Sequence, residues 1–272
     1  MLGSVFSPYY AWAGRRDPFD HCAINVALYG AAGHRWALTE RGRGSLTRDA
    51  QALTVGPSSI AWEGDALVVR VDEMTFPVPS RLRGTIRLHP QLQTGHVELL
   101  DGQARHRWWP VAPLARVEVA MERPDLRWSG TGYHDANAGD EPLEAGFVEW
   151  DWSRGPMEKE GAVLYDMRRR DGSEHVLALR FRPDGSVEHL EPRPRADLPG
   201  TLWRVRRRTQ SEDGHPPALR ETLEDTPFYA RSVVDTRLLG RTVTTMHESL
   251  DLDRFSANWV RLLLPFRMPR RR

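Results

Sequence analysis

Short segments in which apolar and polar residues alternate make up most of the chain. Two clear examples are residues 66–72 (ALVVRVD) and residues 82–89 (LRGTIRLH), and Gly, Pro or Asp bounds nearly every such segment. Alternation with a period of two is typical of strands that bury one face, and no long segment follows the helical period of 3.6. The pattern therefore predicts an all-β protein built as barrels or sandwiches.

The most distinctive pair of predicted strands lies within residues 106–144. Residues 115–119 alternate as in a strand with one buried face, and residues 126–130 form a second strand candidate. A Pro-Asp pair at residues 124–125 marks a turn between them. If the two strands pair, their outer ends meet, and the residues near 106 approach those near 135.

Four side chains at these outer ends form a candidate acid/base cluster. His106 and Trp108 are two residues apart, and so are Tyr133 and Asp135. In an extended chain the members of each pair face the same side. One face then carries an imidazole, an indole, a phenol and a carboxylate, a combination that fits a catalytic pocket.

Structural interpretations of the same residues stay open. The aromatic rings and His106 can be ordinary core residues, and residues 135–140 (DANAGD) can form a turn whose side chains bond their own backbone. A calcium-binding loop of the EF-hand type is excluded. Asp140 stands where that loop requires glycine, and Gly146 stands where it requires glutamate.

Composition narrows the classes of function. Of the 272 residues 38 are basic and 37 are acidic, so no global charge favours a nucleic-acid partner. Cys22 is the single cysteine, which excludes an intramolecular disulfide and a cysteine metal cluster. The ten tryptophans indicate aromatic-lined pockets or an interfacial surface. Phosphate loops, nucleophile elbows and the metalloprotease helix motif are missing from the sequence.

The C-terminal segment, residues 254–272, interleaves aromatic and aliphatic residues with arginines. Such a segment can lie on an anionic membrane surface, or it can be a last strand or helix followed by a solvated tail, and both interpretations stay open. The N-terminus lacks the basic region of a signal peptide, and no stretch has the length of a membrane-spanning helix. We therefore expect a protein that is cytoplasmic or peripheral to a membrane.

The chain resembles the carotenoid 1,2-hydratases, also called hydroxyneurosporene synthases, over essentially its whole length. The phrases that carry the resemblance are FSPYYAWA (6–13), HCAINVALYG (21–30), RWALTERGRG (35–44), LRWSGTGYHDANAGDEPLE (126–144), WDWSR (150–154), LEDTPFYARS (223–232) and MHESLDLDRF (246–255). The resemblance implies a pair of lipocalin-like antiparallel β-barrel domains, which we place at residues 1–146 and 147–272. It also implies addition of water, without a metal or redox cofactor, to the terminal C1–C2 double bond of acyclic carotenes such as neurosporene and lycopene.

The resemblance implies that His106, Trp108, Tyr133 and Asp135 are the active-site residues, and the chemistry of alkene hydration suggests a role for each. Asp135 is the candidate acid that protonates C2 and leaves a tertiary cation at C1. Trp108 and Tyr133 can stabilise that cation through their π-faces. His106 either positions the water and takes its proton or returns a proton to Asp135, and the order of these roles stays open.

The resemblance also implies an apolar substrate that has to leave a membrane. The expected substrate-binding residues are Trp109, Trp128, Tyr9, Tyr10, Trp12 and Asn137. The expected partners are the acyclic carotenoid, water and the surface of the inner or photosynthetic membrane, to which a cytoplasmic protein would attach peripherally.

Two alternatives of other classes remain at this point. One is a non-catalytic lipocalin-like carrier of a long apolar ligand, and the other is a related barrel enzyme that catalyses cyclisation or isomerisation. The ionisable pair of His106 and Asp135 favours an enzyme, because a carrier gains nothing from a buried carboxylate.

Overall fold

The computed structural model describes residues 1–30 and 33–271, and strands dominate it. The strands of the N-terminal half are β1 (Asn25–Leu28), β2 (Arg35–Leu38), β3 (Glu40–Arg41), β4 (Leu46–Arg48), β5 (Ala52–Val55), β6 (Ser58–Glu63), β7 (Ala66–Met74), β8 (Arg81–Leu92), β9 (Glu98–Leu99), β10 (His106–Arg123) and β11 (Leu126–Gly139). The remaining strands are β12 (Phe147–Met157), β13 (Glu160–Arg169), β14 (Glu174–Phe181), β15 (Val187–His189), β16 (Arg195–Asp197), β17 (Arg208–Gln210), β18 (Ala218–Asp225), β19 (Tyr229–Leu238), β20 (Arg241–Asp251) and β21 (Arg270–Arg271). The helices are α1 (Pro8–Trp12), α2 (Leu143–Gly146), α3 (Leu252–Ser256) and α4 (Asn258–Arg267). This content confirms the all-β prediction.

The chain divides into two compact units, and each unit gathers several chain segments. The first comprises Met1–Pro90, Ala115–Gly132 and Arg261–Arg272, and the second comprises Gln91–Leu114 and Tyr133–Val260. Residues 91–114 and 133–146 therefore belong to the same unit as residues 147–260. The predicted division into domains after residue 146 is not tested by this grouping and stays a prediction.

The largest sheet is an antiparallel meander in the order β11-β10-β8-β7-β6-β5-β4, with β9 beside β10. In the first compact unit its apolar positions form a core with Val55, Val71, Leu82 and Met121. Gly84 on β8 allows the close approach of β10, because a Cβ atom there would lie 2.5 Å from the Cα of Met121. Apolar residues at alternate positions of these strands thus form the core, as the sequence pattern predicts.

The N-terminal hairpin is a separate two-stranded sheet. β1 and β2 pair antiparallel, with Asn25 opposite Leu38 and Leu28 opposite Arg35. The sequence predicts this hairpin, with strands at residues 21–29 and 34–40 joined through residues 31–33, and the pairing is confirmed. Of the predicted connection, Ala31 and Ala32 lie outside the described residues.

The second compact unit contains a seven-stranded sheet in the order β15-β14-β13-β12-β20-β19-β18. In antiparallel pairs, residues directly opposite each other place their side chains on the same face. Asp151 lies opposite Ser249, and Ser153 lies opposite His247. One face of this sheet therefore buries a polar network, while the neighbouring positions of β12 at 150, 152 and 154 project from the other face.

Hydrogen bonds hold the buried polar network together. Ser249 donates to the Asp151 carboxyl at 2.5 Å, and Ser153 Oγ lies 2.7 Å from His247 Nδ1. Burial raises the pKa of Asp151 to about 7, although the hydrogen bond from Ser249 opposes the shift. Burial lowers the pKa of His247 to about 3. Both groups are therefore favoured in their neutral forms.

Among residues 1–30 and 33–271, the two outermost strands of each large sheet do not pair with each other. The all-β class is established, while the finer expectation of two lipocalin-like barrels stays a proposal. Among the described residues, none of the helices combines the length and apolar character needed to cross a membrane.

The raised pKa of Asp151 predicts a pH-dependent stability difference. In the unfolded chain this carboxyl ionises near the usual value of 3.8, whereas in the folded protein it keeps its proton up to about 7. The free energy of unfolding of the wild type should therefore fall relative to that of Asp151→Asn as the pH rises from about 4 to about 7, by roughly 4 kcal/mol. Chemical denaturation of both proteins at a series of pH values measures the difference. Asp65→Asn, which changes an exposed carboxyl, is the control and should show no such trend; a constant difference for Asp151→Asn would refute the assignment.

Candidate active site

The side chain of Asp135 on β11 is the centre of the candidate site. Its Oδ2 atom accepts a hydrogen bond from Trp108 Nε1 at 2.7 Å and another from the Tyr133 hydroxyl at 3.1 Å. β10 and β11 are neighbours in the sheet, and this pairing brings Trp108 of one strand to Asp135 of the other. Three of the four predicted cluster residues are therefore in direct contact.

Burial controls the ionisation of this group. Desolvation raises the pKa of Asp135 and outweighs the hydrogen bonds from Trp108 and Tyr133, which lower it, while the charge of Glu248 raises it further. Burial also raises the pKa of the Tyr133 phenol, and the neighbouring Asp135 adds to that shift. Burial thus shifts the pKa of both groups upward and favours their uncharged forms.

His106 on β10 is held by a different carboxylate. Its backbone N–H donates to Asp101 Oδ2 at 2.7 Å, and its ring Nδ1 lies 3.0 Å from the same oxygen. Burial alone raises the pKa of Asp101, but hydrogen bonds from backbone N–H groups and from the His106 ring outweigh it and lower the pKa to about 2. Because an ionised carboxylate only accepts hydrogen bonds, Nδ1 carries the proton in the neutral ring. Nε2 is then the free acceptor, and it is buried with no hydrogen-bond partner among the described residues.

Glycines shape the space around the His106 ring. A Cβ atom at Gly146 would lie 2.8 Å from His106 Cε1, and one at Gly139 would lie 3.1 Å from Cδ2. Phe147 packs against the ring edge-on with the centroids 4.8 Å apart. A side chain larger than hydrogen at either glycine would displace the imidazole, so the ring is fixed by packing as well as by Asp101.

Aromatic rings from the second sheet complete the surroundings of Asp135. Tyr165 on β13 meets Trp108 edge-on at 5.5 Å, and Trp152 on β12 lies 5.5 Å from the Tyr133 ring. Trp150 packs edge-on against Tyr165 at 6.1 Å. Trp152 and Tyr165 are directly opposite each other in the pairing of β12 with β13. The cluster therefore contacts one continuous aromatic face.

Charged side chains border the same face. Glu248 lies opposite Trp152 across β12 and β20, and it forms an ion pair with Arg231 at 2.6 Å. The guanidinium of Arg154 lies 5.5 Å from the centroid of the Tyr133 ring, and burial lowers the Arg154 pKa. One face of the Tyr133 ring is thus occupied by a cation of the protein itself.

The alternative interpretation of residues 135–140 as a self-bonded turn is wrong for Asp135, because β11 extends as a strand to Gly139. The predicted i, i+2 relation in extended chain holds for both pairs, since all four residues are in β10 or β11. His106 bonds Asp101 instead of joining the contacts around Asp135.

The predicted substrate-binding residues are spread over the molecule. Trp109 is half-buried on β10, and Asn137 is exposed on β11. The remaining members belong to the first compact unit and are Tyr9, Tyr10, Trp12 and Trp128. Their role in binding a substrate stays a prediction.

Five side chains around the site are not among those predicted from the sequence, namely Asp101, Tyr165, Trp152, Arg154 and Glu248. The aromatic alternation of residues 147–153 was a usable signal, because positions 150, 152 and 154 share a face of a strand. Tyr165 and Glu248 carry no local signal. Their place in the site follows from the pairing of β12 with β13 and β20, which a single sequence does not specify.

Sequence comparison gives a consistent set of relatives. The family model "Carotenoid hydratase CrtC" matches residues 1–272. An acyclic carotenoid 1,2-hydratase of Thiocapsa roseopersicina is 56% identical over 99% of this chain and 68% of its own length. An acyclic carotenoid 1,2-hydratase of Cereibacter sphaeroides is 41% identical over 100% of this chain and 97% of its own length.

Comparison with solved structures supports the fold. The crystal structure of a candidate AttH from Nitrosomonas europaea matches 84% of this chain and 79% of its own, with a TM-score of 0.55. The two sequences are 14% identical, so this similarity concerns the fold alone.

The hydrogen bonds to Asp135 predict how its pKa responds to substitution. Tyr133→Phe removes one donor to the carboxylate, and because such donors favour the charged form, the pKa of Asp135 should rise further. Carbon-13 NMR of protein labelled at aspartate carboxyls measures the shift, with Asp135→Asn identifying the resonance.

Tyr165→Phe is the matched control for this titration. It also removes a buried phenol hydroxyl near the site, but the donors to the Asp135 side chain are Trp108 and Tyr133. The control should leave the Asp135 pKa nearly unchanged. An equal titration in the wild type and in Tyr133→Phe would contradict the proposed balance of burial and hydrogen bonding.

Proposed function

The chain belongs to the carotenoid hydratase family, and we propose that it adds water across the terminal C1–C2 double bond of acyclic carotenes. Neurosporene and lycopene are the substrate class, and the products are 1-hydroxy carotenoids. The observation that carries this proposal is the Asp135 carboxyl, whose pKa burial raises while two donors hold it in place.

The first step is proton transfer from Asp135 to the alkene. A C–H bond forms at C2, the π electrons of the double bond supply it, and C1 becomes a tertiary cation. A carboxyl that stays protonated at higher pH than an ordinary aspartate supplies this proton. Trp108 and Tyr133 then stabilise the carboxylate that remains, because both donate hydrogen bonds to its Oδ2.

The second step is capture of the cation by water. Water forms the C1–O bond and loses a proton, and His106 Nε2 is the acceptor best prepared to take it. The Asp101 carboxylate supports this role, because it keeps the proton of the neutral ring on Nδ1. A second proton transfer from His106 to Asp135 restores both groups, so that the reaction needs only carotene and water.

Aromatic faces stabilise the intermediate cation. A desolvated cation over an indole gains about 2 kcal/mol or more. Because Arg154 already lies against the Tyr133 ring, we assign this role to the tryptophans of the site. Trp108 contributes directly, and Trp152, which packs against Tyr133, is a second candidate.

We further propose that the protein attaches peripherally to a membrane, because its substrate is apolar. On α4, Trp259, Leu262, Leu263 and Phe266 follow the spacing of one helix face. All four are exposed, Leu262 by 64% and Phe266 by 69%. An exposed apolar helix face of this kind fits the interfacial region of a bilayer.

A neighbouring segment extends this surface. Trp203 stacks on Trp259 with the ring centroids 6.2 Å apart, and Leu202 is 95% exposed. Indole rings favour the boundary between headgroups and acyl chains. We therefore include Leu202 and Trp203 in the proposed membrane contact.

For the fold we retain the proposal of lipocalin-like barrels. The order β4 to β8, then β10 and β11, is the up-and-down order typical of lipocalins. An experimental structure tests it, since one continuous sandwich without an internal cavity would refute it.

Substitution of the acid is the central test of the proposed reaction. Asp135→Asn keeps an oxygen that can accept the hydrogen bonds of Trp108 and Tyr133 but has no transferable carboxyl proton. Hydration should fall by about 10²- to 10⁴-fold, while carotene binding persists. Pigment analysis of cells that make lycopene, followed by assays with purified protein, measures both properties.

Two further variants separate the roles in this test. Trp108→Phe keeps a weaker π-face and should retain partial activity, whereas Trp108→Ala should lose far more. A folded Asp135→Asn protein that hydrates lycopene at the wild-type rate would refute the assignment of the acid. Wild-type protein that binds lycopene without changing it would instead indicate a carrier.

The exposed face of α4 generates a separate prediction. The double variant Leu262→Ser with Phe266→Ser removes apolar surface from this face without opening the core. It should co-sediment less than the wild type with vesicles of anionic phospholipid.

Val78→Ser is the control, because Val78 is exposed by 78% and lies outside the proposed contact. It should bind vesicles as the wild type does. Equal binding by the double variant and the wild type would remove α4 from the membrane contact and leave the proposed hydration untouched.

A further inference from the structure

Two histidines and a glutamate of the second compact unit converge outside the candidate active site. His96 Nε2 lies 2.7 Å from Glu98 Oε1, and His189 Nε2 lies 3.3 Å from the same oxygen. One ligand atom of each of the three side chains lies within 4.8 Å of the other two. The imidazole rings of His96 and His189 meet edge-on with centroids 5.4 Å apart.

The 3.3 Å separation matches the spacing of two ligands of a zinc ion, and the 2.7 Å separation is a hydrogen bond that a bound ion would replace. Bonds of about 2.0–2.2 Å in a tetrahedral site place neighbouring ligand atoms roughly 3.4 Å apart. Two imidazole nitrogens and one carboxylate oxygen form a common ligand set for zinc and related divalent ions, with a fourth position for water. The side chain of Glu98 is 13% exposed and that of His96 is 23% exposed, so the three atoms converge in a partly enclosed place that an ion can enter.

A third histidine stands near the same group. His175 on β14 interacts electrostatically with Glu98. Its Nε2 atom is buried and has no hydrogen-bond partner among the residues that the structure describes. A bound ion and its water would supply a partner for such an atom.

We propose that His96, Glu98 and His189 bind a divalent transition-metal ion of the zinc class. The inference stands independently of the proposed hydration, in which no metal takes part. Both histidines would bind through Nε2, the atom that faces Glu98, and Glu98 would bind as a carboxylate.

The position of this site gives it a structural role. Glu98 is on β9 directly opposite Trp108 of β10, and His189 is the last residue of β15 at the edge of the second sheet. An ion held by both would join β9 to β15. It would thereby fix the short strand β9, which pairs with β10 at Trp108.

Direct binding measurements test the proposal with the full chain. Purified protein, first dialysed against a chelator, is titrated with Zn²⁺ by calorimetry and with Co²⁺ by visible absorption. We expect one ion per chain, d–d bands for Co²⁺ with reduced symmetry, and a higher thermal midpoint with Zn²⁺ than without it.

Variants locate the site. His189→Ala and Glu98→Gln should each weaken Zn²⁺ binding by at least about tenfold and remove the rise in thermal midpoint, consistent with the loss of one ligand. His215→Ala is the matched control, since it removes an exposed histidine of the same compact unit. Circular dichroism confirms folding of each variant. Because His189 is 56% exposed, its substitution should disturb the fold least.

The outcomes are distinct. Binding that is lost in His189→Ala and Glu98→Gln but kept in His215→Ala supports the site. No Zn²⁺ binding by the wild type, or equal binding by all the proteins, would overturn it and leave the three residues as a hydrogen-bonded cluster.

Discussion

The candidate active site depends on the balance between desolvation of the Asp135 carboxyl and its two hydrogen bonds. Removing a carboxylate from water favours the protonated form, while donors from Trp108 and Tyr133 favour the charged form. Desolvation prevails, so that the group keeps its proton more readily than an exposed aspartate. The donors still matter, because they hold the carboxyl in place and stabilise the carboxylate after the proton has left. An acid that transfers a proton to an alkene requires both properties.

The two faces of the seven-stranded sheet have different roles. One face buries Asp151, Ser153, His247 and Ser249 in a network whose groups hydrogen-bond one another across β12 and β20. The other face presents aromatic rings to the candidate site. Because the two sets of side chains alternate along the same strands, a shift in register would exchange them. The polar network therefore makes such a shift costly, since it would leave buried polar atoms without partners.

The sequence predicted the all-β class and the contact among Trp108, Tyr133 and Asp135, because both depend on period-two spacing and on a turn between adjacent strands. It predicted strands that were too short. β10 runs from His106 to Arg123 through Pro110 and Pro113, residues that usually end a strand because they lack an N–H group. The contributions of Tyr165 and Glu248 depend on pairing between segments far apart in the sequence, for which local propensity holds no information.

The pKa values of Asp101 and Asp135 are shifted in opposite directions. This difference bears on the roles of His106 and Asp135, whose order the sequence leaves open. Backbone donors lower the pKa of Asp101 to about 2, whereas burial raises the pKa of Asp135. When two titratable groups of one site are shifted in opposite directions, their roles as base partner and acid follow from their environments. In the proposed mechanism Asp101 fixes the His106 tautomer with Nε2 as acceptor, and Asp135 supplies the proton. The opposite environments of the two carboxylates support this proposed order of acid first and imidazole base second.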